Sequence, residues 1–199
     1  PSKPGFIGLA VDHPPAPPAV VPEDGTGIRS ALATTGDDET DQRIANELAS
    51  IRADDLLSTL DYFETILPSA TVATAGHSIG GAAAILAAAR DPRVDAVVDI
   101  DGLPRGGLPT VPVLAIVAGE GTGSAESDER YDSALDEVLA FCGKRVDVRG
   151  AQHLSFTDAA LYLPPLPSLI GLEGRTAALT VANEETLAFL RGELGTGTN

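Results

Sequence analysis

Residues 71–90 read TVATAGHSIGGAAAILAAAR, a short β-branched run that passes into an alanine-rich run through glycines and a single serine. β-Branched residues suit a pleated strand, and alanines suit a helix. With no linker between the two, the chain must turn sharply at Ser78. The neighbouring glycines remove the Cβ atoms that would hold the helix away from the strand. The stretch predicts a strand, a tight bend carrying a serine, and a helix.

The same alternation continues along the chain. "VDAVVDI" (94–100), "PVLAIVA" (112–118) and, more faintly, "KRVDVRG" (144–150) read as strands, with helical stretches expected near 80–90, 127–141 and 180–193. Strands alternating with helices imply the α/β class, with a mostly parallel sheet covered by helices on both faces. Ahead of the serine, apolar residues recur at helical spacing from Glu39 to Leu67. Ile44, Leu48 and Ile51 form one set, and Leu56, Leu60, Phe63 and Leu67 a second, before Pro68 ends the pattern. A long amphipathic helix is expected, with a break between the two sets left open. "GFIGLAVDH" (5–13) has the apolar character of a buried strand, and the prolines of 14–22 predict a loop. A chain of 199 residues builds one substantial core, so residues 1–199 are expected to form a single domain.

Composition narrows the partners. The formal net charge is −16, from 29 acidic and 13 basic residues, which disfavours nucleic acid and anionic membrane surfaces. The lone Cys142 has no partner for an internal disulfide, and no Cys/His cluster has metal-site spacing, so no metal is expected. No apolar run approaches the roughly 20 residues that span a bilayer, and the start carries no signal-peptide pattern. The chain reads as soluble, its compartment and oligomeric state are open, and its acidic, cysteine-poor composition permits export without arguing for it. It begins PSKPGF and contains no methionine, so a missing N-terminal segment is expected.

Gly76-His77-Ser78-Ile79-Gly80 fits the G-x-S-x-G nucleophile elbow in the required setting between strand and helix. A serine hydroxyl needs a base to take its proton and a carboxylate to orient that base, and α/β-hydrolases supply them in the order serine, acid, histidine. Only His153, in "GAQHLSF", follows Ser78; His13 closes an early segment and reads as a loop or wall residue. His77, beside the serine, points to the other side of the elbow and is a candidate substrate contact. For the acid, Asp101 ends one predicted strand and Glu120 ends the next, while Asp99 lies deeper, where an unpaired charge is costly. Spacing leaves both Asp101 and Glu120 open. The N–H of Ile79, at the start of the helix, is expected to be one oxyanion donor. "FTDAALYLPPLPSLIGLEG" (156–174) is apolar without periodicity, and Phe156, Leu161, Tyr162, Leu163 and Leu166 are candidate lining residues for an acyl chain. A packed surface loop is the alternative.

"AGHSIGG", "DPRVDAVVDIDG" and "HLSFTD" together resemble the platelet-activating factor acetylhydrolase-like branch of the α/β-hydrolases, bacterial lipases and esterases included. The likeness extends to "GFIGLAVDHP" and "VVPEDGT", so it spans most of the chain. It implies the α/β-hydrolase fold, hydrolysis of small-molecule or lipid esters through an acyl-enzyme, and no cofactor; related hydrolases attack polyesters. It also implies that the acid follows the strand after the nucleophile helix. That selects Asp101, 23 positions beyond Ser78, with Glu120 in reserve. Such hydrolases carry two or more strands and an oxyanion loop, typically with an "HG" pair, ahead of the segment where this chain begins. On that pattern the chain is N-terminally truncated and its oxyanion hole is half built; losing one donor costs about a hundred- to a thousand-fold in rate. A truncated hydrolase with a binding role is the alternative function.

Overall fold

In a computed structural model of the chain, the described residues are 5–13, 19–20, 28–29, 35–119, 125–162, 166, 168, 171 and 176–195. The elements run β1 (Ala19–Val20), β2 (Ile28–Arg29), α1 (Asp38–Glu64), β3 (Val72–His77), α2 (Ile79–Arg90), β4 (Val94–Ile100) and β5 (Val113–Ala118). Then follow α3 (Ala125–Leu139), β6 (Gly143–Val148), a 3-10 turn (His153–Phe156), α4 (Ala159–Tyr162) and α5 (Ala177–Glu193). β3, β4, β5 and β6 form one parallel sheet in that order. The faint fourth strand is a full member, paired from Val113↔Gly143 to Ala118↔Val148.

Neighbouring residues of the central strands feed opposite layers, as the two-residue period of a strand requires. On one face Val98, Leu114 and Ile116 pack with Val148, Phe156 and the α5 residues Ala178 and Ala182. On the other, Val97 and Val113 pack with Ala84, Ile85 and Ala88 of α2 and with Val138 of α3. Helices therefore cover both faces.

α2 is buried all round because a further helix lies outside it. Its residues Ala83, Leu86 and Ala87 meet Ala53, Leu56 and Leu57 of α1. α1 is one unbroken helix of 27 residues, capped by the Asp37 carboxylate accepting from the Thr40 N–H. Its inner face differs from the one that the large apolar residues suggest. The fully buried positions are Ala49 and Ala53, while Ile51 is 55% exposed. Small side chains let α1 and α2 approach closely, so the alanines mark the contact.

Two segments depart from expectation. Residues 5–13 form no strand, and Ile7 is 72% exposed. An apolar run favours burial, but a strand also needs ladder partners for its N–H and C=O groups, and this run has none among the described residues. Its end is tied to α1 instead, His13 Nδ1 lying 2.7 Å from Asp55 Oδ2. Within the expected proline loop, β1 pairs antiparallel with β2 over two residues. No helix among the described residues is long and apolar enough to cross a membrane.

Candidate active site

β3 passes directly into α2 through Ser78, which adopts φ 59° and ψ −126°. A non-glycine residue holds such a backbone at a cost of about 1–3 kcal/mol, so the surroundings must enforce it. The Ser78 N–H donates to the Ile100 carbonyl at 2.9 Å, extending the β3–β4 ladder past the strand end. Its carbonyl accepts from the N–H groups of Gly81 (2.9 Å) and Ala82 (3.2 Å). Ile79 is the first residue of α2, where a helix has no internal acceptor for the N–H, so a free donor sits beside the serine.

The two motif glycines are not equivalent. A Cβ on Gly76 would strike the carbonyl carbon and oxygen of Gly80, whereas one on Gly80 would meet nothing within 4 Å. Gly76→Ala is expected to destabilise the chain by about 1–3 kcal/mol or more through overpacking against backbone that cannot move aside. Gly80→Ala is expected to leave stability unchanged or slightly raised, since alanine suits a helix. Denaturant midpoints of the two variants check this, and equal midpoints would contradict it.

Asp101 directly follows β4 with φ 53°, its N–H donating to the Ile116 carbonyl at 2.7 Å. Its Oδ1 accepts from the Ala118 N–H at 2.8 Å, and its Oδ2 lies 2.6 Å from His153 Nδ1. His153 Nε2 lies 3.0 Å from Ser78 Oγ. The three side chains thus form one hydrogen-bonded line, each just beyond the C-terminal end of a parallel strand (β3, β4 and β6), where ligands bind in open α/β sheets. Asp101 is 12% exposed and His153 47%, so the line runs from a sheltered carboxylate to an open imidazole. Glu120, the reserve acid, and Leu163 lie outside the described residues.

His77 is turned toward His153. Its Nε2 donates to the His153 carbonyl at 3.0 Å, and the ring centroids are 4.4 Å apart at 34°. Burial first, and then the neighbouring His153, hold its imidazole below the ordinary value of 6.5. A base with a depressed folded pKa contributes stability that is complete above pH 6.5 and is lost as the pH falls through the folded value. The neutral ring that donates from Nε2 is therefore the form at neutral pH. The sequence placed His77 beside the serine but carried no sign of this bond, which depends on the path of residues 149–153.

Phe156, a candidate lining residue from the sequence, is a core residue in the structure. It is 7% exposed and packs behind the site against Val98, Ile116 and Ala182. The expected aperiodic segment opens on the last residue of a 3-10 turn and continues into the short α4, with Phe156 and Ala160 buried. Leu161, Tyr162 and Leu166 are exposed. The Ala118 N–H, which fixes Oδ1 of Asp101, is a backbone donor with no sequence signature; it follows from the parallel register of β4 and β5.

No protein-family model and no curated protein matches the sequence. Among solved structures, the chain is similar to a ferulic acid esterase from Streptomyces cinnamoneus, with a TM-score of 0.71 and 25% identity over 88% of this chain and 56% of that one. The fold is that of the α/β-hydrolases. A dienelactone hydrolase-like promiscuous phosphotriesterase from metagenomic libraries matches with a TM-score of 0.52 and 16% identity, over 78% of this chain and 64% of that one. The chain spans less than two thirds of the length of either α/β-hydrolase neighbour.

Proposed function

We propose that the chain is a serine carboxylic-ester hydrolase in which Ser78 is the nucleophile, His153 the base and Asp101 the orienting acid. The observation that carries this reading is the line of contacts Asp101 Oδ2, His153 Nδ1, His153 Nε2, Ser78 Oγ, at 2.6 and 3.0 Å, on a strained elbow. Ser78 Oγ attacks the ester carbonyl carbon while His153 Nε2 takes its proton. The carbonyl oxygen becomes an oxyanion and accepts from the Ile79 N–H. The C–O bond to the alcohol then breaks, and His153 returns the proton to the leaving oxygen. Water, deprotonated by His153, attacks the acyl carbon, and collapse frees the acid and restores Ser78.

The likeness to the platelet-activating factor acetylhydrolase-like branch points to small-molecule or lipid esters, and the ferulic acid esterase neighbour is named for an aromatic ester. The exposed Leu161, Tyr162 and Leu166, shortly after His153 in the chain, suit an apolar acyl or aryl group. A polyester is a larger substrate of the same chemistry. The test is a serine-directed fluorophosphonate probe beside a p-nitrophenyl acetate assay. A single adduct at Ser78, formed in step with loss of hydrolysis, is expected. A folded chain that neither labels nor hydrolyses would sink the reading and favour a non-catalytic binding role on the same fold.

A further inference from the structure

Asp99 is the only ionisable side chain among the described residues with no solvent exposure, and the chemistry above does not use it. Its Oδ1 accepts from the Gly102 N–H at 3.0 Å, while its Oδ2 is buried with no hydrogen-bond partner. An isolated buried carboxyl is costly, and an apolar residue would fill the space at less cost. Its surroundings show what it does there. A Cβ on Gly81, in the first turn of α2, or on Gly102 would collide with Asp99 Oδ1. A Cβ on Gly102 would also lie 2.5 Å from the Ser78 carbonyl oxygen and 3.0 Å from the Ala82 nitrogen. The carboxyl therefore fills the joint where two backbone segments touch: the turn carrying Ser78 and the turn carrying Asp101.

We propose that Asp99 is a positioning residue: its carboxyl pins the Asp101–Gly102 turn against the first turn of α2 and so sets the span from Ser78 to Asp101 that His153 bridges. The role rests on the proposed hydrolase reading for its consequence in turnover, but the geometry it describes is independent of any substrate. Burial pushes the Asp99 carboxyl well above the usual carboxylate range, and the nearby Asp101 pushes it in the same direction. The neutral carboxylic acid that burial favours holds Gly102 through a carbonyl-type acceptor and places no second negative charge beside Asp101. Asparagine has the same shape and the same acceptor.

The test compares Asp99→Asn, Asp99→Ala and Asp99→Ser in the full chain. Two readouts are taken: ester hydrolysis, and the far-downfield proton resonance of the short His153–Asp101 hydrogen bond, assigned by its loss in His153→Ala. Asp99→Asn is expected to keep the resonance in place and kcat within about threefold of the parent. Asp99→Ala and Asp99→Ser are expected to shift or broaden the resonance and to lower kcat about 10- to 100-fold with KM nearly unchanged, as displaced catalytic groups do. An unmoved resonance and unchanged kcat in both truncations would overturn the assignment. So would an Asp99→Asn variant as damaged as Asp99→Ala, a parent chain that lacks the resonance, or truncations that both fail to fold, since Asp99 would then be a core residue only. If the parent hydrolyses no ester, the resonance alone decides the role of Asp99, and only the hydrolase reading falls.

Discussion

His153→Ala is expected to lower kcat for p-nitrophenyl ester hydrolysis by about 10,000- to 1,000,000-fold, with Ser78→Ala falling by a comparable factor. The size of the effect follows from the role proposed for the imidazole. Without it the Ser78 hydroxyl has nowhere to send its proton, and the leaving alkoxide has no proton to take up. In the proposed mechanism the two residues act as one unit, so the double variant should be no worse than either single one. Residual rate would come from the Ile79 donor and from substrate binding, which neither substitution touches. The protein's stability should change little, because His153 is half exposed, with 47% of its side chain open to solvent. That openness yields a second readout: free imidazole can enter the space left by His153→Ala and restore part of the lost rate. A His153→Ala variant that keeps more than a tenth of the parent kcat would exclude His153 as the base.

Much of this arrangement was legible in the sequence, for identifiable reasons. β5 is buried along nearly its whole length and continuously apolar, and β4 is mostly so, interrupted by Asp95 and Asp99, so both read as strands at once. β6 lies at the sheet edge with Lys144, Arg145 and Asp147 in its span, and an exposed edge strand carries little apolar pattern. The serine elbow was legible because its glycine and alanine neighbours meet a steric demand, although only Gly76 of the two motif glycines meets it in full. The contact face of α1 was not, since the alanines that allow close approach carry weaker apolar signal than the leucines and isoleucines around them. The run at 5–13 reads as a strand yet forms none, because hydrophobicity reports a tendency to be buried and says nothing about a pairing partner. The acid was narrowed to two residues that both end predicted strands. Choosing between them by physics needs the position of the His153 ring, which depends on how the chain leaves β6, and no local pattern encodes that.

Asp101→Asn is the second large effect, and here the loss comes from a single misplaced proton. Asp101 presents one oxygen to the Ala118 N–H at 2.8 Å and the other to His153 Nδ1 at 2.6 Å. Asparagine has only one oxygen to share between them. If that oxygen faced His153, the amide NH2 would confront the Ala118 N–H, and two donors buried face to face cost about 1–3 kcal/mol. The oxygen therefore stays on Ala118 and the NH2 turns to His153. His153 must then accept at Nδ1, which forces its proton onto Nε2, and an Nε2–H pointing at Ser78 Oγ has no lone pair to take the serine proton. The expected loss is about 10,000-fold in kcat, as for other triads held in the wrong tautomer, with KM and thermal stability close to the parent because every hydrogen bond is still made. Glu120→Gln, measured beside it, should leave kcat within about twofold, since Asp101 already holds His153 Nδ1. The opposite pattern, with Asp101→Asn active and Glu120→Gln dead, would move the acid to the next strand end and leave the short Asp101–His153 bond as a structural contact alone.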